Sequence, residues 1–475
     1  MLTSLAASQP DGSWWQRPAG GREVLALSLP LIISTGFWAV SWFFDRLFLT
    51  WYDSGAMAAS LPSGMMHWTL LCLPSGIASY VNTFVAQYYG AGQQKRIGHV
   101  VGQGIWFGFA TIPLFALTVP LAHSLFAIAT KNERQIELQT LYFQSLALSG
   151  PAVVMSNAMS ALYTGRGQTG LVMIVNIVGS LIDIVLDYCM VFGEFGFPEW
   201  GIVGAGISTA LGNWFNVVVF GLLMLRPYDR EHFGMADAWK LDWPLMGRLM
   251  KYGFPSGLPM LIETLGFALL TMFIAGIGEV EGAATALAFN VNSVAFVPLI
   301  GLGIGVSTLV GQYLGDNNDR LAARATWTGL TFGLVYSAVF AAAYWFLPGW
   351  FLYFHERGAD PAQFEAVRSM TTSLLKFVAL YALFDAMQII FVSALKGAGD
   401  TRFVLYVAVI LSTLMIVAGN VLQHYFDWGI YGWWYVMTAW IFSMASIYLL
   451  RFLQGKWRTM RVIEPEFVAK EVTSS

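Results

Sequence analysis

Two pairs of polar side chains lie four residues apart inside long apolar stretches of the sequence. Tyr381 and Asp385 occur in FVALYALFDAMQII, and Asp183 and Asp187 occur in LIDIVLDYCM. Residues with this spacing share one face of a helix. The Tyr381 phenol is therefore next to the Asp385 carboxyl group, and the carboxylates of Asp183 and Asp187 are next to each other. A carboxylate at the centre of a membrane-spanning helix costs about 2.5 kcal/mol or more. Both pairs therefore indicate places that hold a proton or a cation.

Glu263 extends this pattern to another apolar stretch, GLPMLIETLGF. It follows Pro259, which removes a backbone hydrogen bond from the helix and frees a carbonyl group. A free carbonyl beside a carboxylate suits a cation that prefers oxygen ligands. With Tyr381 and Asp385, Glu263 could form one cation site, and Na⁺ is a possible occupant.

Asp45 has two interpretations. It is followed directly by Arg46, so it could belong to an interfacial ion pair, although adjacent helical residues point about 100° apart. Alternatively, it is a proton or cation site in the N-terminal part of the chain. Hydroxyl groups that could join a network with Asp183 and Asp187 are those of Tyr142, Ser160 and Thr209.

The composition identifies the chain as an integral membrane protein. Of 475 residues, 57% are hydrophobic and 11% charged, whereas soluble domains are about 25% charged. A net charge of -3 without a basic patch gives no reason to expect nucleic acid as a partner. Cys72 and Cys189, the two cysteines, both lie in apolar stretches and form no metal-binding pair. No ATP-binding or hydrolase motif occurs, so the sequence predicts neither an enzyme nor a resident cofactor.

A span requires about 20 mostly apolar residues, and twelve stretches satisfy this requirement. They lie near 24–50, 57–88, 98–127, 139–163, 169–192, 202–226, 246–276, 281–314, 322–354, 366–396, 402–424 and 432–454. The predicted fold is therefore an all-α integral membrane protein with twelve transmembrane helices in two pseudo-symmetric six-helix bundles. The predicted parts are an N-terminal tail (1–23), an N-terminal bundle (24–226), a linker (227–245), a C-terminal bundle (246–455) and a C-terminal tail (456–475).

The distribution of Lys and Arg predicts the orientation. Nineteen of them fall in the tails and in the connections on the same side as the tails, and four, Lys131, Arg134, Arg357 and Arg368, fall on the other side. The positive-inside rule therefore places both termini in the cytosol. Lys376 lies within a span, where a local ion pair or snorkelling towards the headgroups is the expected role.

The two halves repeat each other in sequence. VAQYYGAG at Gln87 matches VGQYLGDN at Gln312, WGIVG at Trp200 matches WGIYG at Trp428, and SLPLI at Ser28 matches GLPML at Gly257. Repeats in the same order, each starting on the cytosolic side, predict a pseudo-two-fold axis along the membrane normal. Two such bundles can rock against each other, which favours a transporter.

Apolar side chains on the spans could line a soft cavity for varied apolar ligands. The candidates are Phe37, Trp38, Met260, Phe267 and Met387.

In the order and spacing of its motifs, the chain resembles the multidrug and toxic-compound extrusion (MATE) transporters, NorM-like bacterial branch, over roughly 24–455. The similar segments are FDRLFL, AQYYGAG, GRGQT, IDIVLDYCMVFG, WGIVGAGIST, GLPMLIETLGF, VGQYLG and DAMQIIFVSALKGAGDTR. The resemblance implies a cation or proton site in the N-terminal bundle at Asp45, Tyr142, Asp187 and Thr209. It implies a cation site in the C-terminal bundle at Glu263, Tyr381 and Asp385. At Asp183 and Ser160 many relatives have asparagine, and the extra acid leaves open which ion is used.

The leading functional hypothesis is a monomeric multidrug efflux antiporter of the bacterial inner membrane. It would export cationic or amphipathic organic compounds, and so confer antibiotic resistance, in exchange for Na⁺ or H⁺. The alternative is a flippase for lipid-linked saccharides, whose pyrophosphate would require arginines in the central cleft. A membrane-embedded enzyme is the third hypothesis, and no catalytic cluster supports it.

Overall fold

The fold is built from long helices that cross the membrane twelve times. The computed structural model describes residues 13–356 and 361–465. Its helices in the first part of the chain are α1 (Gly21–Tyr52), α2 (Ser54–Ser79), α3 (Val81–Gly90), α4 (Gln94–Ala129), α5 (Glu133–Ala147), α6 (Gly150–Thr164), α7 (Thr169–Phe192), α8 (Ile202–Met224) and α9 (Pro227–His232). Those in the second part are α10 (Trp243–Ala275), α11 (Glu279–Gly315), α12 (Asp319–Phe346), α13 (Pro348–Glu356), α14 (Pro361–Ala398), α15 (Thr401–Phe426) and α16 (Gly429–Leu453).

Within residues 13–356 and 361–465, twelve helical segments are long and apolar enough to span a membrane, and each coincides with one predicted span. The helix pairs α2–α3 and α5–α6 each make one span, from Ser54–Gly90 and Glu133–Thr164. The predicted all-α membrane fold with twelve spans is therefore confirmed. Residues 1–12 and 466–475 of the two predicted tails, together with Arg357, lie outside the described residues.

One predicted span boundary is wrong for an identifiable reason. The predicted span 322–354 ends at Phe346, because Pro348 cannot continue the preceding helix and instead starts α13. The predicted linker 227–245 is largely folded: it contains α9, a 3₁₀ turn at Met235–Asp237 and the first residues of α10. Pro227 at the first position of α9 favours helix initiation there.

The chain divides into two compact units. The N unit comprises Ile33–Leu258, Gly311–Asn317 and Arg461–Ser475, and the C unit comprises Met1–Ile32, Pro259–Val310 and Asn318–Met460. Each unit draws on both predicted halves, because α1, α10 and α11 are divided between the units. The divisions of α1 and α10 fall beside Pro30 and at Pro259, which are the matching prolines of the SLPLI and GLPML repeats.

Glycines of the two repeats allow helices to approach closely. Within the N unit, a β-carbon on Gly90 would overlap the backbone carbonyl of Gln312, and one on Gly315 would overlap that of Gln87. The matching AQYYG and GQYLG segments thus contact each other reciprocally, as a two-fold relation requires. A β-carbon on Gly76 of α2 would likewise overlap the Cα of Gly257 in α10.

Replacement of Gly76 by valine is expected to destabilise the N unit. The new side chain meets backbone, which cannot move aside as a flexible side chain does, so the loss should be about 1–3 kcal/mol or more. Gly64→Val in the same helix is the matched control, since a β-carbon there meets no atom within 4 Å. Thermal unfolding of the purified variants in detergent measures both effects, and equal midpoints would contradict the proposed close contact.

The segment after α16 folds back into the N unit. The backbone N–H of Val462 donates to Oε1 of Gln87 at 2.8 Å, and its carbonyl accepts a short hydrogen bond from Arg248. The Tyr88 hydroxyl donates to Oε2 of Glu464 at 2.6 Å. Val462 is fully buried in the N-unit core. The beginning of the predicted C-terminal tail is therefore a structural part of the N unit.

A buried ion pair fixes the linker to the same unit. Arg166, in the turn between α6 and α7, donates through Nη1 to Oδ1 of Asp229 in α9 at 2.9 Å. Its side chain is 2% exposed and that of Asp229 is 7% exposed. Phe233 covers the guanidinium, with a ring centroid 3.9 Å away. The pair is desolvated on both sides, so the position of α9 depends on it.

Candidate functional site

The N unit brings together three acids from two helices. Asp45 lies on α1, and Asp183 and Asp187 lie one turn apart on α7. All three are buried, and Asp187 is 0% exposed. Asp45 interacts electrostatically with both other acids, and Asp187 interacts with Asp183. The structure thus places the N-terminal acids predicted from the sequence in one cluster.

Four of the six carboxyl oxygens of this cluster are buried without a hydrogen-bond partner in the described part of the chain. Both oxygens of Asp187 and Oδ1 of Asp45 and of Asp183 are buried without a hydrogen-bond partner. Arg46 is exposed and lies outside salt-bridge distance of Asp45, so the interfacial pair considered from the sequence is not formed among the described residues. A buried charge without a partner is strongly unfavourable. This arrangement therefore favours a bound proton on at least one of these carboxylates.

Hydroxyl groups surround the acids. Tyr142 of α5 interacts electrostatically with all three acids and is buried. Thr209 of α8 neighbours Asp183, as do Ser208 of α8 and Ser41 of α1. Neutral oxygens of this kind can complete the coordination of a small cation without adding charge.

Small residues let α8 approach α7 at the cluster. A β-carbon on Gly212 would lie 3.0 Å from the Cβ of Asp183, and one on Gly179 would overlap the side chain of Asn216. Glycine contacts of this kind are typical of closely packed membrane helices. They bring the Ser208 and Thr209 hydroxyls to the acidic face of α7.

The three residues predicted for the C unit interact with different neighbours. Tyr381 and Asp385 are both buried on α14 and interact with each other, as their spacing predicts. Glu263 of α10 is half-buried, and its electrostatic partners in the described part of the chain are Lys396 of α14 and Tyr448 of α16. Asp385 is not among them. The predicted cation site of Glu263, Tyr381 and Asp385 stays a prediction.

Sequence reasoning missed four of these neighbours. Ser41 could have been found, because it lies one helical turn before Asp45, and Ser208 directly precedes Thr209. Lys396 is the last residue of the predicted span 366–396 and lies in the last turn of α14. Tyr448 has no signal that separates it from the other tyrosines of the chain. Ser160, in contrast, donates to the carbonyl of Asn157 at 3.1 Å in its own helix.

The five apolar side chains predicted to line a substrate cavity are distributed over both units. Phe37 and Trp38 belong to the N unit, and Met260, Phe267 and Met387 belong to the C unit. Phe267 packs against Phe289, with ring centroids 4.5 Å apart. The predicted substrate cavity stays a prediction. Among the described residues, no group of three or more His, Cys, Asp or Glu side chains is arranged to hold a metal ion.

Fold and site together define the class of protein. A twelve-span helical membrane protein with acids and hydroxyls clustered inside its spans is typical of membrane transporters.

The chain belongs to the MatE family, whose model matches residues 30–189 and 255–422. The predicted resemblance to MATE transporters is thereby confirmed, and the protein is a transporter and not an enzyme. It is 26% identical over 450 residues to the "Probable multidrug resistance protein NorM" of Thermotoga maritima, covering 94% of this chain and 95% of the relative. It is 27% identical over 385 residues to the "Multidrug resistance protein PmpM" of Pseudomonas aeruginosa, covering 80% and 79%.

Solved structures show the same fold at lower identity. A multidrug resistance MATE family transporter in an outward-facing conformation has a TM-score of 0.83 at 16% identity, over 95% of this chain and all of that chain. The eukaryotic MATE transporter AtDTX14 has a TM-score of 0.82 at 18% identity, over 92% and 96% of the two chains.

Proposed function

We propose that the protein exports cationic or amphipathic organic compounds in exchange for Na⁺ or H⁺. The observation that carries the proposal is the acid cluster of the N unit, where both carboxyl oxygens of fully buried Asp187 lack a hydrogen-bond partner among the described residues. Relatives named as multidrug resistance proteins support the class of compound. Asp385, which interacts with Tyr381, is a second proposed ion-binding site, in the C unit.

Competition for acids explains how an ion gradient can drive export. A cationic compound and the coupling ion both require negative charge, so binding of one weakens binding of the other. The coupling free energy between them is reciprocal, and the ion that enters favours release of the compound. In this proposal Asp45, Asp183 and Asp187 exchange the coupling ion.

The proposed location is the bacterial inner membrane with both termini in the cytosol, as the distribution of Lys and Arg favours. The proposed working form is a monomer. Two sites made from side chains of one chain are consistent with this form.

No observation favours the flippase alternative. Arg166, the buried arginine of the N unit described above, is neutralised by Asp229 at 2.9 Å and donates through Nε to the carbonyl of Leu162. The carboxylates of Asp45, Asp183 and Asp187 are buried in the spans with oxygens that lack a hydrogen-bond partner among the described residues, and such groups repel a pyrophosphate.

Ethidium release from proteoliposomes tests the proposal. The Na⁺ concentration is first changed at fixed pH, and the pH is then changed in the absence of Na⁺. At least one of these steps is expected to make ethidium release severalfold faster than in proteoliposomes without a gradient. An ionophore that abolishes the gradient is the control and should remove the acceleration. Release that is indifferent to both gradients would contradict antiport.

A further inference from the structure

The N unit contains a cavity of about 500 Å³ that lies apart from the acid cluster. Its walls are α4, α6 and α8, and they are predominantly apolar. Residues that line it include Ile105, Phe109, Met155, Met159, Val218 and Leu222. The volume falls within the range of about 300–1,000 Å³ that is usual for small-molecule sites.

The folded linker forms the floor of this cavity. The backbone carbonyl of Ala238 in the linker would overlap a β-carbon on Gly102 of α4. Glycine at position 102 is therefore required for the linker to approach α4 this closely. Gln103 of α4 donates to the carbonyl of Lys240 at 2.9 Å and accepts from the N–H of Asp242 at 3.1 Å. The floor is thus held by specific contacts on the side of the molecule that the charge distribution predicts to be cytosolic.

The open side of the cavity is apolar. Val218, Leu222 and Leu225 follow one face of α8 to its end, and Leu222 is 63% and Leu225 60% exposed. Trp239 of the linker lines the cavity and accepts at its carbonyl a hydrogen bond from the indole N–H of Trp106 at 3.1 Å. Tryptophan is enriched at the level of lipid headgroups. An opening with these residues suits contact with acyl chains, and its tryptophans suit the headgroup level.

Arg230 is the charged residue of the lining. Within residues 13–356 and 361–465 it forms no salt bridge, whereas the nearby Lys240 pairs with Asp237 at 2.7 Å. An exposed guanidinium at the edge of an apolar cavity matches a ligand with an anionic head and an apolar tail, since guanidinium binds phosphate well.

We propose that this cavity binds one anionic phospholipid of the adjacent leaflet, with an acyl chain between α4 and α8 and its phosphate on Arg230. The lipid joins the folded linker to the end of α8. Its occupancy is expected to stabilise the N unit, because a ligand that binds only the folded state does so.

Native mass spectrometry of the purified full-length protein tests this site. The probes are dioleoyl-phosphatidylglycerol and dioleoyl-phosphatidylcholine, which share acyl chains and differ in net charge. The first is expected to bind about fivefold more tightly, as one arginine near an anionic headgroup predicts, and Arg230→Gln should remove this difference. Arg320→Gln is the matched control, because Arg320 is also exposed and lies in the C unit, outside the cavity lining.

A second variant tests the acyl-chain position. A β-carbon on Gly221 would meet only the Cε of Met159, at 3.6 Å, so Gly221→Phe has room to project into the cavity. It is expected to abolish retention of both lipids at this site. Equal binding of the two lipids by the unmodified protein, an equal loss in Arg320→Gln, or unchanged binding in Gly221→Phe would each overturn the proposal. So would an equal increase in thermal stability from inorganic phosphate alone.

Discussion

Asp187→Asn should reduce gradient-driven efflux by roughly 10- to 100-fold while the protein remains folded. Its carboxylate is fully buried with both oxygens unbonded in the described structure, and an interaction with a charged group is worth about 1.5–3 kcal/mol. The amide has the same shape but cannot hold a proton or balance a cation. Removal of one of three mutually repelling acids should leave the unfolding midpoint unchanged or raise it. Efflux from proteoliposomes and thermal unfolding of the same preparation measure both quantities.

Glu194→Gln is the control for this experiment. Glu194 is an exposed acid in the turn after α7, so the same change from carboxylate to amide should leave efflux unaltered. Asp385→Asn tests the C unit in parallel. Full gradient-driven efflux in both Asp187→Asn and Asp385→Asn would show that these carboxylates do not couple transport to an ion.

Arg166→Met should lower the free energy of unfolding by about 3–5 kcal/mol. The substitution leaves Asp229 buried without its partner, while methionine preserves much of the apolar contact with Phe233. Thermal and denaturant unfolding in detergent measure the loss. The double variant Arg166→Met with Asp229→Leu should recover most of it, because an apolar pair of similar volume often replaces a buried ion pair without loss.

Arg134→Met provides the comparison for an exposed pair. Arg134 pairs with Asp53 at 3.1 Å, but its side chain is 71% exposed, and such surface pairs contribute about 1 kcal/mol or less. Equal losses in Arg166→Met and Arg134→Met would mean that burial does not decide the strength of the Arg166–Asp229 pair.

The twelve spans were predictable because membrane insertion imposes a length and a composition that are visible in the sequence. The fold of the linker was not predictable, because it depends on contacts between residues far apart in the sequence. Asp229 binds Arg166, which lies 63 residues earlier, and Ala238 packs against Gly102. The docking of Val462 onto Gln87 likewise bridges 375 residues. No local pattern encodes such partners.

The site was predictable where spacing along one helix determines it. Asp183 and Asp187, and Tyr381 and Asp385, share helix faces as their intervals of four residues predict. The grouping of Glu263 with Asp385 stays a prediction, because which residue of α14 faces α10 depends on how the two helices pack. Lys396, eleven positions further along α14 than Asp385, interacts with Glu263.

The position of Val462 has a consequence for biosynthesis. Arg248 leaves the ribosome 214 residues before the carbonyl it binds, and translation at about 5–20 residues per second takes roughly 10–40 s to cover that distance. During this interval the nascent N unit lacks the buried Val462 side chain and the hydrogen bond that the Val462 N–H donates to Oε1 of Gln87. Its folding is completed by almost the last described residues to be synthesised, so the first bundle to enter the membrane matures only after the second.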